Sequence, residues 1–270
     1  MDRPFDNMES IPPTPQTQPA APPPTTTSLA GRLLNIFAAP GEVFNEIKAA
    51  PPRTANWLTP ALLLIVLSWV SAFLIFSQPA VQQQISDISN KAIDRQIEKG
   101  KLTAAQADQA RTMAEKYGSL SYKIGAAVVP VLVAFATPFW GGLILWLVGS
   151  IALKAPFPYL KAVEIAGLAN MIMTLDVIVR TSLVLITGNL FSTLSLALLV
   201  KDFDPQNTAH TLLAAVNIMT FWLLAVRSIG LARLTGASVG KAAVWVFGIW
   251  IALTGAMIGF GVAVRMAIGG

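Results

Sequence analysis

The sequence predicts an all-α polytopic membrane protein: five transmembrane helices, N-terminal interfacial helices and an extramembrane helical hairpin. Three observations carry this. Hydrophobic residues make up 54% of the 270 and charged residues only 12%, against roughly 25% charged in a soluble domain. Apolar stretches at 57–77, 125–153, 163–188, 209–230 and 242–264 each reach the ~20 residues that cross a ~30 Å hydrocarbon core. The basic residues are scattered at the ends of those stretches instead of forming one basic face.

Composition also excludes whole classes of chemistry. Without cysteine the chain has no disulfide framework, thiolate nucleophile or Cys-ligated metal site. A single histidine, His210, rules out the paired histidines of a zinc hydrolase and reads as an interfacial residue. No Gly-rich phosphate loop and no Ser/His/Asp set occurs, and Glu164 lies 12 residues from Asp176 on the same span. No catalytic residue, cofactor or metal is therefore expected. The net charge of +5 follows from the positive-inside bias, so nucleic acid is not an expected partner.

In chain order, residues 1–27 are rich in Pro and Thr and predict a disordered tail. Asp2, Asp6 and Glu9 replace the basic start of a secretory signal, and no apolar core follows them. Over 28–56, Ser28 is placed to cap a helix carrying Leu29, Leu33, Leu34, Ile36 and Phe37. Pro40 stops it and opens a second helix with Val43, Phe44 and Ile47 on one face. Two short amphipathic helices before a span predict helices lying in the headgroup layer, or else a partner-binding face.

The hairpin, 78–122, holds six basic and five acidic residues. Val81, Ile85, Ile88 and Ala92 follow helical spacing, Gly100 is placed to end that helix, and Thr103 to Gln106 form a capping box for the next. Asp87/Lys91 and Arg111/Glu115 are spaced for surface ion pairs. Ala107, Ala110, Ala114 and Tyr117 predict the face that packs on the neighbouring helix. With the N-terminus cytoplasmic, the inside loops carry Lys154, Lys161, Arg227, Arg233 and Lys241, against Lys201 outside beside Asp202 and Asp204. That asymmetry predicts an outside C-terminus, after the 242–264 span and the tail 265–270.

Within the spans, Asp176 and Arg180 stand four residues apart on one helix face, so a carboxylate–guanidinium bond is within reach. Asn170 and Thr174 add hydrogen-bonding capacity, and Asn217 on the fourth span is placed to complete an intramembrane polar cluster. Asp176 as a titrating relay and the pair as an interhelical clamp are the two readings; the absence of a second intramembrane acid favours the clamp. Pro130 and Pro138 each remove a helix hydrogen bond and predict a kinked or locally opened second span. Gly255 and Gly259 form a GxxxG surface for close helix packing. Arg227 and Arg265 are expected to snorkel from span ends.

Three stretches resemble the Yip family (Ypt/Rab-interacting, five-span membrane proteins) in its bacterial branch. They are Arg32-Leu33-Leu34-Asn35-Ile36-Phe37 through Pro40-Gly41-Glu42-Val43-Phe44-Asn45-Glu46-Ile47, then Pro158-Tyr159-Leu160-Lys161-Ala162-Val163-Glu164-Ile165-Ala166, and then Asn217 to Lys241 with Trp222, Ile229-Gly230-Leu231-Ala232 and Ser238. The resemblance covers roughly 29–264 and implies a five-helix bundle with a cytoplasmic N-terminus in a bacterial inner membrane. Eukaryotic relatives bind prenylated small GTPases in vesicle traffic, but no GTPase-contact motif is matched here. The expectation is a non-enzymatic organiser of membrane components, in contact with lipids and with a membrane-protein partner or a second copy. The alternative is a small transporter, channel or lipid-moving protein using Asp176, Arg180 and the proline-broken helix.

Overall fold

The computed structural model describes residues 27–201 and 203–269, so the expected tail, Thr27 apart, and Asp202 lie outside the described residues. The helices are α1 (Leu29–Ala38), α2 (Pro40–Ala49), α3 (Ala55–Phe76), α4 (Pro79–Glu98), α5 (Ala104–Leu147), α6 (Tyr159–Ala169), α7 (Met171–Thr187), α8 (Thr208–Ala215), α9 (Ile218–Thr235) and α10 (Val239–Gly269). Five helical segments are long and apolar enough to span a bilayer: Ala55–Phe76, Leu120–Ala152, Tyr159–Thr187, Ile218–Thr235 and Val239–Ala267. The molecule is an integral membrane protein.

Local chemistry sets the helix ends. Ser28 Oγ accepts from the Gly31 amide at 3.1 Å, and Pro40 begins α2 where its missing N–H costs nothing. Thr103 and Gln106 close the capping box that starts α5. Gly100, at φ +65°, takes the left-handed turn after α4, which an L side chain resists. α5 continues as one helix through both Pro130 and Pro138, each of which withholds one N–H from its ladder, and it ends in a π-helical turn over Val148–Ala152.

The fourth span differs from the expected 209–230. Asn217 leaves the helical conformation and its side chain accepts from the amides of Met219 and Thr220. A short polar side chain that bonds its own downstream backbone competes with helix continuation, and here it wins. The span therefore runs from Ile218 to Thr235.

The interfacial helices also depart from expectation. α1 and α2 do not turn their apolar faces to the headgroup layer. Ile36, Val43, Phe44 and Ile47 are buried in one core with Leu145, Ile165, Leu168 and Leu231 from three spans. An amphipathic face needs an apolar surface, and the bundle itself supplies it.

α6 is the hub. A Cβ added at Gly142 would stand 2.9 Å from the Val163 backbone, and one at Gly167 would stand 2.5 Å from Trp57 Cα. A Cβ at Gly230 would meet Ile165 at 2.4 Å and the Phe44 ring at 3.1 Å. Such approaches bring α5 and α3 against α6 at backbone distance and seat the Ile165 and Phe44 side chains on the α9 backbone, as small residues allow between membrane helices. α10 lies at the edge, packed on α9 and α8.

Beyond the bundle, α4 and the first half of α5 form the hairpin, with Ala107 fully buried and Ala110 and Ala114 half-buried between them. The expected pairs Asp87/Lys91 and Arg111/Glu115 do not form. Arg111 instead reaches across to Asp94 at 2.6 Å and along its own helix to Asp108 at 3.4 Å. The cross-hairpin bond closes the tertiary contact, which an intrahelical pair cannot do. Tyr117, expected on the packed face, is exposed.

Candidate functional site

The polar centre of the molecule lies where α1 and α2 meet the bundle. Glu164, in the second turn of α6, is 1% exposed. Its Oε1 accepts from the Arg53 amide at 2.8 Å and from Asn56 Nδ2 at 2.6 Å. Asn56, on the first span and equally buried, accepts in turn from Arg32 Nη1 at 2.8 Å. Arg32 Nε donates to the Thr27 carbonyl at 3.1 Å and lies 3.9 Å from Glu46 Oε2. Lys161 Nζ stands 3.2 Å from Glu164 Oε2 and donates to the carbonyls of Ile47 and Ala50 at the end of α2.

Two cations and two carboxylates thus form a neutral network joining α1, α2, α3 and α6. A buried charge is tolerable only when paired and hydrogen-bonded, and this arrangement meets both conditions. Glu164 Oε1 takes two hydrogen bonds, while Oε2 is buried without a hydrogen-bond partner and faces only the Lys161 ammonium, so the group holds its helices together as a latch. Sequence reasoning left Glu164 isolated, placed Lys161 in a loop and did not single out Asn56. A signal was nevertheless present: Arg32, Glu46, Lys161 and Glu164 all fall within two of the stretches that carried the family resemblance.

The predicted intramembrane cluster does not assemble. Asp176 and Arg180 are not within ion-pair distance, and neither has a hydrogen bond among the described residues. Asn170 belongs elsewhere: its amide donates to Thr137 Oγ1 at 2.9 Å, and its Oδ1 accepts from Arg227 Nη2 at 2.9 Å. Asn217 is occupied as the α9 cap and by its bridge to Ser195. Helical spacing put these groups on compatible faces but left side-chain direction free.

Arg227 is the second correction. With the span beginning at Ile218, it sits near the middle of α9 and does not snorkel from an end. Its guanidinium packs against Gly141, where an added Cβ would stand 3.0 Å from Cζ, and its Nε is buried without a partner. Arg265, by contrast, reaches the Gln206 carbonyl outside the bundle. Pro130 lines a cavity between α3, α5 and α7 that also contains Arg180. Around Gly255 and Gly259 an added Cβ meets nothing within 4 Å, so the GxxxG surface packs on no helix of this chain. Among the described residues no group of three His, Asp or Glu is placed to hold a metal.

The three resembling stretches converge at the latch. Phe44 of the first and Ile165 of the second close on Gly230 of the third, and Arg233 of the third lies against Gly41 of the first. No curated protein and no solved structure matches this chain. The Yip1 domain, however, matches residues 34–260, a range that takes in α2, four whole spans, most of the fifth and most of the latch. A match over that much of the molecule, on a five-span helical architecture, makes the chain a member of the Yip1 domain family.

Proposed function

We propose that this protein is a non-enzymatic organiser of membrane components, which presents α1 and α2 as a rigid docking platform to a second membrane protein. The latch carries the reading. The apolar faces of α1 and α2, with Arg32 of α1 and the C-terminal carbonyls of α2, are engaged by the chain's own bundle. What remains outward is a fixed surface of Asn35, Glu42, Asn45 and Lys48 around Leu34, which is 70% exposed. A helix that anchored in lipid would keep its apolar face for lipid. A rigid polar surface with one projecting apolar residue suits a protein partner. In the short loops between spans, leaving aside the hairpin with its six basic and five acidic residues, Lys154, Arg233 and Lys241 on the platform side against Lys201 opposite support a cytoplasmic platform in a bacterial inner membrane with the C-terminus outside.

Photo-crosslinking residues placed separately at Leu34 and at Asn45, in intact membranes, test the platform. The same protein adduct is expected from both positions, and Leu34→Glu should remove the Asn45 adduct at unchanged protein level. Lipid adducts alone, or an adduct indifferent to Leu34→Glu, would overturn the reading. A phosphatase fused after Gly270 should be active, since the enzyme folds only outside the cytoplasm; an inactive fusion reverses the orientation.

A further inference from the structure

At the hairpin end of the bundle, a cavity of about 560 Å³ lies between α3, α5 and α7. Arg180 lines it, with the hydroxyl-bearing Ser68 and Tyr122 and an apolar wall that includes Val129 and Val177. Tyr122 and Val129 are exposed, so the cavity opens sideways between α3 and α5, toward the lipid. Arg180 has no hydrogen bond and no ion pair among the described residues. Asp176, one turn deeper, feels the charge of Arg180 but stays beyond ion-pair distance, so no described protein group hydrogen-bonds the guanidinium fork.

Depth identifies the ligand's character. The span Tyr159–Thr187 has 29 residues, about 43 Å of helix against a ~30 Å hydrocarbon core, so each end extends about 6 Å into the headgroup layer. Arg180 precedes Thr187 by seven residues, which puts its Cα about 4 Å inside the hydrocarbon edge, a distance its side chain can span. A cation there, coupled to Asp176 only at a distance and held by no direct ion pair, faces the phosphate layer at the mouth of an apolar groove. We propose that this cavity binds an anionic phospholipid, with its phosphate held by the Arg180 fork and an acyl chain lying along Val129. Guanidinium recognises phosphate through paired charge-assisted hydrogen bonds, and the volume suits one ligand of this size and not a helix. The site is independent of the platform: its residues lie at the other end of the bundle.

Native mass spectrometry of the full chain in neutral detergent tests the site, with phosphatidylglycerol and phosphatidylcholine of identical chains as probes. The wild type should retain one phosphatidylglycerol at concentrations where phosphatidylcholine is lost. Arg180→Gln should weaken that retention at least tenfold. Gly125→Leu serves as a second variant. Gly125 lines the cavity and an added Cβ there meets nothing within 4 Å, so the new side chain fills the groove without disturbing packing. It should also abolish retention, with Arg180 intact and a melting temperature no lower than that of the wild type. Equal retention of the two lipids, wild-type retention in Arg180→Gln, or wild-type retention in Gly125→Leu would each overturn the proposal. Competition by glycerol 3-phosphate at the same concentrations would also overturn it, because the ligand would then be a soluble anion.

Discussion

Asn56 of the first span donates its side-chain amide to the Glu164 carboxylate of the third at 2.6 Å, and through Asn56 the charge of Arg32 is tied to the same acceptor. One carboxylate therefore fixes two spans and both short N-terminal helices. In Glu164→Gln the Oε1 bonds can persist, but Lys161 loses its counter-charge while remaining buried. Breaking one side of a buried pair costs about 3–5 kcal/mol. Glu164→Gln should accordingly lower the unfolding midpoint in detergent by several degrees and open Arg32, buried in the wild type, to trypsin. Adding Lys161→Met should recover part of the loss, since the unpaired ammonium is then gone and only the carbonyls of Ile47 and Ala50 lose a donor. A midpoint unchanged in Glu164→Gln would show that the latch does not hold the platform.

Arg227 and Asn170 predict an asymmetry between two substitutions. The guanidinium has a neutral acceptor at 2.9 Å and a buried Nε without one. Asn170→Leu leaves that cation without its acceptor inside the bundle, a loss of about 1–3 kcal/mol or more because the group is charged. Arg227→Met removes the charge and leaves only a neutral amide oxygen, which should cost less. Chemical unfolding in lipid nanodiscs should rank wild type above Arg227→Met, and Arg227→Met above Asn170→Leu. The reverse order would mean that the cation itself is stabilising.

The five spans were legible because length and hydropathy act over some twenty residues at once, so an error at one end does not remove a helix. Caps at Ser28 and Thr103 were legible for the opposite reason: they are local hydrogen bonds written in adjacent residues. The latch was not, because Arg32, Asn56 and Glu164 meet only after three helices pack. Misreading Asn217 as a membrane-interior residue moved the fourth span toward the N-terminus, and that shift alone put Arg227 at an end. The Asp176–Arg180 pair failed because spacing fixes where a side chain starts but leaves where it points to packing.

Glycines separate into two populations with opposite expected behaviour. Gly167→Ala drives a methyl to within 2.5 Å of Trp57 Cα, so α3 and α6 must part. Overpacking of this kind costs typically about 1–3 kcal/mol. Gly255→Ala places its methyl in open space on α10 and removes a flexible residue from a helix interior, which is worth roughly 0.5–1 kcal/mol of added stability. Unfolding curves in detergent should move in opposite directions for the two variants. A destabilised Gly255→Ala would show that its face meets another copy of the chain, a result that sedimentation of the same samples would reveal as lost self-association.

At the hairpin end, Arg95 binds Asp204 at 3.0 Å and so fastens α4 to the loop before α8. The Asp204 carboxyl is held below its ordinary range, first by the Gln206 amide and then by the Arg95 side chain, against an opposing push from partial burial. A carboxyl lowered in the folded state contributes stability that is fully present above its unfolded value, about 3.9, and disappears as pH falls through the lower folded value. Amide exchange over 203–208 should therefore be protected at pH 7 and lose protection only well below pH 4. Arg95→Gln removes one of the three lowering groups, leaving the Gln206 amide and His210, so the loss should begin at a higher pH than in the wild type. Asp204→Asn keeps an acceptor for the Gln206 amide but has no titrating group, so its protection should be weaker at pH 7 and flat in acid. An acid transition that persists unchanged in Asp204→Asn would assign it to another carboxylate of the hairpin, such as the Asp94 paired with Arg111.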